Sequence, residues 1–388
     1  MKKILYFENT KGFGGALVSL TYFLKQLDKT KYQPVLVVSY KDPYIEQYLN
    51  FCKVYYLKHN QRFLPKGKLE SLKDYLLCRL PQTLELIKII KNENISLIHL
   101  NNGIISNLSG IIAGKLMHVP VIVHQRGKVW KSKTTVFFSK WVDAYIAISN
   151  FIKQELFSVG VNNKKITIAP EGLNLLEYNL DIDISYLKNE FGNNKDFLKI
   201  ALVGCLVPWK GQKVLIKAID KLIRQGLKVK AFIIGGTAKK DKWYERELKA
   251  LVKKLSLEES VIFTGRRNDI PALLKYMDII VHTSTEPEPF GRVIIEAMAM
   301  GKPIIATKIG APGEIIKDGV NGFLVPPGEP NFLAKHIRKI SKNKEFLKFI
   351  GKNARKQVEK NYSIKIHTKI IENLYRSILK KEKNHEVS

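Results

Sequence analysis

Acidic side chains are scarce in this sequence. Against 65 Lys and Arg, the 388 residues include only 35 Asp and Glu, a formal charge of +30 with histidine neutral. So basic a chain implies anionic company: nucleic acid, a membrane surface or phosphorylated substrates. No zinc-finger, RRM or KH pattern is present, so specific reading of a nucleic acid is not expected. Many lysines fall at helix-surface positions, where they need no partner. Cysteine is rarer still. Cys52, Cys78 and Cys205 are scattered, which excludes both a disulfide framework and a zinc motif. Long apolar runs are missing as well: the longest candidate, Ile104 to Val123, is interrupted by Asn107, Lys115, His118 and Pro120, too polar to span a bilayer. The opening Met-Lys-Lys-Ile-Leu-Tyr-Phe-Glu has four apolar residues before Glu8 and reads as a first strand, not a signal peptide. The expectation is a cytosolic protein.

What is present is ample core material, 45% apolar residues, at a length that suits about two domains of roughly 150 residues each. Strand-like runs at Ile4–Phe7, Pro34–Ser39, Ile95–Leu100, Val119–Val123, Ala144–Ile148 and Ile166–Ala169 alternate with helical patterns at Ala16–Leu27, Pro81–Lys91 and Asn107–Lys115. After a polar stretch around Glu177 to Asn194 a second series follows: Phe197–Val203, Val229–Ile234, Val261–Thr264, Ile279–His282, Ile304–Thr307 and Phe323–Val325, with helices between. Beyond Pro330 the pattern is helical to the end. Strands alternating with helices predict an α/β fold of parallel sheets covered on both faces, here two doubly wound domains.

Three stretches invite a chemical reading. Lys11-Gly12-Phe13-Gly14-Gly15 lies between the first strand and helix, and Leu17 stands where the dinucleotide pattern needs its third glycine. It is either a tight turn or a backbone approach to phosphate or sugar. Asp181-Ile182-Asp183 resembles a metal-holding aspartate pair, but no strand leads into it, so Asp183 reads as a helix N-cap and no metal site is expected. The third is Ser284 to Gly301. An apolar strand ends at His282, the chain turns at Pro287 and Pro289, and helix formers follow up to Gly301. The first turn of such a helix offers free N–H groups and partial positive charge to an anion. Glu288 and Glu296 flank it, placed to accept hydrogen bonds from hydroxyls on either side. Sugar, diphosphate and ribose, in that order, match this layout.

Glu288-Pro289-Phe290-Gly291-Arg292-Val293-Ile294-Ile295-Glu296, with Val203-Gly204-Cys205-Leu206-Val207-Pro208-Trp209-Lys210-Gly211, Phe263-Thr264-Gly265-Arg266, Gly310 to Ile316 and Asn321 to Val325, resembles the retaining family 4 glycosyltransferases (glycosyl transferases group 1) in motif order and spacing. The N-terminal half resembles them more loosely, through Gly14-Gly15, His124 in Val-His-Gln-Arg-Gly and Ala169 to Asn174. The resemblance implies a GT-B fold: two Rossmann-like domains facing across a cleft that closes on the donor. An acceptor-side domain would span 1–176, a linker 177–195 and a nucleotide-sugar domain 196–358, with a C-terminal helix, 359–388, crossing back.

It further implies roles. His124, Lys210 and Glu288 would be catalytic. The donor, a UDP- or GDP-sugar, would be bound by Gly14, Gly15, Lys210, Arg266, Glu288, Phe290, Gly291, Arg292, Val293 and Glu296, with Glu288 on the sugar and Glu296 on the ribose. No metal or other cofactor is implied. The family's usual arginine beside the lysine is Cys205 here, so Arg126, Arg266 or Arg292 would have to supply a second cation if one is needed. His99 and His282 have no matching role and are expected to be structural, while Asn101 and Asn102 are candidates for the acceptor. The acceptor would be lipid-linked or a saccharide in cell-surface polysaccharide or lipopolysaccharide assembly. The basic and aromatic run Lys128 to Trp141 would then contact anionic lipid at the cytoplasmic face. The rival readings are an epimerase or phosphorylase on the same fold, and a non-enzymatic basic binder of membrane or nucleic acid.

Overall fold

Most of the short apolar runs become parallel strands, and the chain sorts them into two units. The computed structural model describes residues 1–9, 14–40, 43–59, 74–192, 196–238 and 241–385. Unit 1 comprises residues 1–172 together with 364–388; unit 2 comprises 173–363.

In unit 1, β1 (Lys2–Glu8), β2 (Tyr32–Val38), β3 (Lys53–Tyr56), β4 (Leu97–Asn101), β5 (Val121–Gln125), β6 (Ala144–Ala147) and β7 (Ile166–Ile168) form one sheet in the order 3-2-1-4-5-6-7, with parallel pairing throughout. Tyr6 lies opposite His99 and Asn101 opposite His124, so these side chains share a face. The same face also carries Ile4, Ile122 and Ile146, with Ile122 level with His99 and Ile146 level with His124; it is covered by Leu20, Phe23 and Leu24 of the helix Gly15–Gln26 and by Ile371 and Tyr375 of the helix Ile364–His385. Each such large side chain contributes roughly 1.5–3 kcal/mol on burial. The last helix is therefore a core element of unit 1, although nearly 200 residues separate it from the rest of that unit.

Unit 2 repeats the scheme with β8 (Leu198–Val203), β9 (Val229–Ile234), β10 (Val261–Gly265), β11 (Ile279–His282), β12 (Ile304–Thr307) and β13 (Phe323–Val325), in the order 10-9-8-11-12-13, all parallel. The helix Gln212–Arg224 buries Leu215, Ile216, Ile219 and Leu222 against this sheet, and Pro330–Ser341 adds Leu333, Ile337 and Ile340. The strand order reverses between β1 and β4 in unit 1, and between β8 and β11 in unit 2. Open α/β sheets bind ligands beyond the carboxyl ends of the strands at such reversals.

Two expectations about boundaries are revised. The stretch expected as a linker holds a helix, Ser185–Phe191, that belongs to unit 2. Phe191 packs edge-on against Phe232, Tyr276 donates to the Gly192 carbonyl (2.7 Å), and Arg267 bridges Glu190 and Asp269. The return to unit 1 begins at Ile364, not near 359, because Lys344–Asn361 is a separate helix that packs Ile350 into the unit 2 core. Asp183 precedes the helix and accepts from Ser185 N–H (2.9 Å), a local turn close to the expected cap. No helix among the described residues is long and apolar enough to cross a membrane.

Candidate functional site

The reversal in unit 2 puts two loops side by side: Gly204–Gly211 after β8 and Thr283–Gly291 after β11. Backbone contacts tie them together. Thr285 N–H donates to the Trp209 carbonyl (2.8 Å), and the Thr283 hydroxyl donates to the carbonyls of Lys210 (3.1 Å) and Gly211 (3.0 Å). Gly211 sits at φ 72° against Thr283, where a Cβ would overlap the Thr283 carbonyl oxygen. On the other side, Ala311 N–H donates to the Glu288 carbonyl (2.9 Å). Gly310, at φ 78°, passes so close that a Cβ would run into the backbone of Glu288. Lys210 and Glu288 are thus fixed from both neighbouring loops.

The two side chains meet. Lys210 Nζ donates to Glu288 Oε2 at 2.6 Å, His282 Nε2 approaches the same oxygen at 3.0 Å, and the Ser284 hydroxyl donates to it at 3.1 Å. The Trp209 ring lies 4.2 Å from Lys210 Nζ, a cation–π contact that holds the ammonium in place. All three donors converge on Oε2; among the described residues none reaches Oε1, which stays available to a ligand hydroxyl. Burial alone would push the Glu288 carboxyl up. The His282 hydrogen bond and the Lys210 charge overcome that and hold it down, to about 2. Glu288 is therefore an ionised acceptor with a fixed orientation. The ion pair's stabilisation is complete above the ordinary carboxylate value and is lost as pH falls from there towards about 2.

Sequence reasoning missed His282 and Ser284, and took His282 as structural. The structure instead makes His282 a direct partner of Glu288. The signal was the spacing His282-x-Ser284-x3-Glu288, which a strand end followed by a tight loop folds onto a single point.

The helix Arg292–Ala299 begins beside Glu288, with Gly291 as N-cap at φ 91° and no side chain capping it. Phe290 is buried edge-on to Tyr362, and Val293 is buried as well. Arg292 lies 3.4 Å from Glu296 on the same helix face. Arg266 is exposed at the end of β10, its Cβ beside Gly236, and Cys205 is exposed at the end of β8. Unit 2 thus gathers Lys210, Glu288, Phe290 to Val293 and Glu296 around one reversal point, with Arg266 on the same edge of the sheet.

In unit 1, Gly14 and Gly15 are exposed at the start of the helix Gly15–Gln26. A Cβ at Gly14 would meet nothing within 4 Å, so its backbone is open to approach; Lys11, Gly12 and Phe13 lie outside the described residues. His124 is fully buried at the end of β5. Its Nδ1 lies 3.2 Å from His99 Nε2 and 3.3 Å from Arg126 Nη2, while its Nε2 has no hydrogen-bond partner among the described residues. Arg126 is buried and bound to Asn101 (2.6 Å) and to Glu171, which also accepts from Ser19. That engagement corrects the suggestion that Arg126 could act as a spare cation for a leaving phosphate. His99, expected to be merely structural, is the hydrogen-bond neighbour of His124. Asn101, expected at the acceptor, is fully buried between Glu8 and Arg126, and Asn102 also donates to Glu8 (2.9 Å). Their amides are committed to organising the loop ends of β1 and β4.

Among the described residues no three His, Cys, Asp or Glu side chains are grouped as metal ligands would be.

Comparison with known proteins fits this geometry. Residues 13–176 match the Glycosyltransferase Family 4 model and residues 183–357 the Glycosyl transferases group 1 model. The crystal structure of Anabaena Alr3699/HepE in complex with UDP and glucose superposes with a TM-score of 0.82 at 26% identity, covering 97% of this chain and 100% of that one. An uncharacterised glycosyltransferase of Methanocaldococcus jannaschii is 29% identical over 262 residues, 63% of this chain and 64% of the relative, so the match spans under two thirds of that relative's length. The Escherichia coli UDP-Gal:alpha-D-GlcNAc-diphosphoundecaprenol alpha-1,3-galactosyltransferase is 25% identical over 312 residues, 75% of this chain and 78% of that enzyme. With the two models together accounting for nearly the whole length, and with two Rossmann-like units in the chain, the protein belongs to the GT-B-fold glycosyltransferases of the family 4, group 1 type.

Proposed function

We propose that this protein is a retaining glycosyltransferase that moves a sugar from a UDP- or GDP-sugar to an acceptor in cell-surface polysaccharide or lipopolysaccharide assembly. The observation that carries the reading is the Lys210–Glu288 pair at the reversal point of unit 2, beside an uncapped helix N-terminus. Glu288 Oε1 accepts from sugar hydroxyls and Glu296 from the ribose diol. The N–H groups of Phe290 to Val293 receive the diphosphate, Lys210 offsets the charge that grows on it as the glycosidic bond breaks, and Arg266 approaches from the end of β10. The Glu288 carboxylate is already occupied by three donors on one oxygen, a poor arrangement for a nucleophile. Attack on the same face as the departing phosphate, with that phosphate taking the acceptor's proton, suits it better. Gly14 and Gly15 offer backbone N–H groups, and His124 donates to a sugar oxygen. No metal is needed where Lys210 and the helix N-terminus supply the positive charge. An epimerase or phosphorylase would leave sugar products in the absence of any acceptor, which product analysis separates.

A panel of nucleotide sugars in a thermal-shift assay tests this reading. One UDP- or GDP-sugar should raise the melting temperature, by about 2.7 kcal/mol of stabilisation at one hundred times its Kd. The shift should persist in EDTA and, because Glu288 stays ionised, should hold constant from about pH 8 down to pH 5. No response to any nucleotide sugar would count against the proposal.

Membrane contact is favoured by one specific surface. Trp130, Val136 and Phe137, on and just before the helix Lys133–Ser139, are 66%, 41% and 53% exposed, among the exposed Lys128, Lys131, Lys133 and Lys140. Aromatics amid lysines suit an anionic bilayer carrying a lipid-linked acceptor, at about 1 kcal/mol per basic residue. The E. coli relative is named for such an acceptor. Co-sedimentation should be clear with vesicles containing anionic phospholipid and weak with neutral ones; equal binding to both would refute the charge contribution.

A further inference from the structure

A line of buried polar atoms runs through unit 1 from its first strand to His124. The Tyr6 and Tyr375 hydroxyls lie 3.2 Å apart, Tyr375 Oη is 2.5 Å from His99 Nδ1, and His99 Nε2 is 3.2 Å from His124 Nδ1. The proton positions follow from what each group can do. Arg126 Nη2, which can only donate, is 3.3 Å from His124 Nδ1, so that nitrogen must be bare. His99 Nε2 faces the same bare nitrogen and must carry a proton to bond with it. His99 Nδ1 is then an acceptor and takes the single Tyr375 hydroxyl proton over the shorter contact, 2.5 Å, in place of donation to Tyr6 at 3.2 Å. One proton remains for His124, and only Nε2 can take it.

Arg126 cannot swing away, because Asn101 and Glu171 hold its other nitrogens. The remaining neighbour is His367, from the last helix. Its ring lies 5.8 Å from that of His124, and its Nδ1 is 2.6 Å from the Pro170 carbonyl. Burial first, and then the Arg126 charge, hold both His99 and His124 well below the usual imidazole range, with His367 adding to the effect on each.

We infer that Arg126 and the Tyr375–His99 relay hold His124 as a neutral imidazole with its proton on Nε2. His124 is then a fixed Nε2–H donor, buried and without a hydrogen-bond partner among the described residues, and is barred from acting as a base; that a sugar oxygen reaches it rests on the function proposed above. Tyr375 and His99 are positioning residues, and the returning C-terminal helix becomes a working part of unit 1 because it carries Tyr375.

The test is ring-nitrogen NMR of full-length protein labelled with 15N-histidine, without nucleotide sugar. The His124 signals are assigned by their loss in His124→Gln, and independently by following the His99 signals that move in Tyr375→Phe. The expected result is one protonated nitrogen, Nε2, and one bare nitrogen, Nδ1, unchanged from about pH 8.5 to 5.5. Tyr375→Phe, which keeps the ring in the core, should alter the His99 tautomer and lower kcat roughly three- to tenfold with little change in melting temperature. A His124 protonated at Nδ1, or titrating to the cation within that range, overturns the inference, as does a Tyr375→Phe protein whose spectra and kcat match the parent. A neutral Nε2–H His124 in a protein that transfers no sugar would leave the inference standing and sink the transferase reading instead.

Discussion

Lys210→Ala is expected to lower kcat for sugar transfer by roughly 10²–10³-fold, with a smaller change in the KM for donor. The residue does two jobs in the geometry. Its ammonium holds Glu288 Oε2 at 2.6 Å, and in the proposed reaction it neutralises the leaving diphosphate. Only the second grows as the bond breaks, so the loss should fall mainly on kcat. Glu288→Gln provides the contrast. It keeps the shape but removes the anion that Lys210, His282 and Ser284 surround, and it should weaken donor binding as well as slow turnover. Cys205→Arg extends the test. Cys205 is exposed on the same strand edge, so an arginine there should be tolerated and should tighten donor binding by adding a cation. Steady-state kinetics on the three variants, with folding checked by circular dichroism, decide the matter. A folded Lys210→Ala protein with normal turnover would refute the assignment.

Gly211→Ala should cost more stability than most single surface changes, about 3 kcal/mol, as two faults add. The residue sits at φ 72°, and its Cβ would overlap the Thr283 carbonyl oxygen. Neither fault can be relieved by a rotamer change, because the obstacle is backbone. For a unit of this size the shift in melting temperature is about 6–12 °C. Since Gly211 joins the Lys210 turn to the loop bearing Glu288, transfer should fall in the same variant even below its melting point. Gly14→Ala is the natural comparison: nothing lies within 4 Å of the added Cβ, so little stability should be lost. Equal melting temperatures for Gly211→Ala and the parent would disprove the clamp.

Much of the fold was legible because both sheets are made of buried parallel strands, which read as unbroken apolar runs. Val229–Ile234 and Ile279–His282 fell at the expected residues. β3 was missed because it is short, at a sheet edge and only partly buried, Lys-Val-Tyr-Tyr with its ends exposed, so its pairing with β2 leaves no periodic trace. The placement of Lys210 beside Glu288 was legible as two motifs but not as an ion pair, since 78 residues separate them. His282 and His99 looked alike in sequence: each sits near the end of an apolar strand. What distinguishes them is the company that tertiary structure brings, Glu288 for one, Tyr375 and His124 for the other. The helix after Asp183 was legible, but not that it belongs to unit 2: Ser185–Phe191 buries mainly Leu187, too little apolar signal to show what it packs against.

Unit 1 is assembled from the two ends of the chain and unit 2 from one continuous stretch. During synthesis the N-terminal strands emerge first yet must wait for residues 364–385 before Ile371 and Tyr375 can close their core, whereas unit 2 has all its residues as soon as Ser363 is out. The half of the molecule made first is therefore the half completed last. Its unfinished apolar face is the one exposed on the ribosome, and so the natural target for chaperones during that wait.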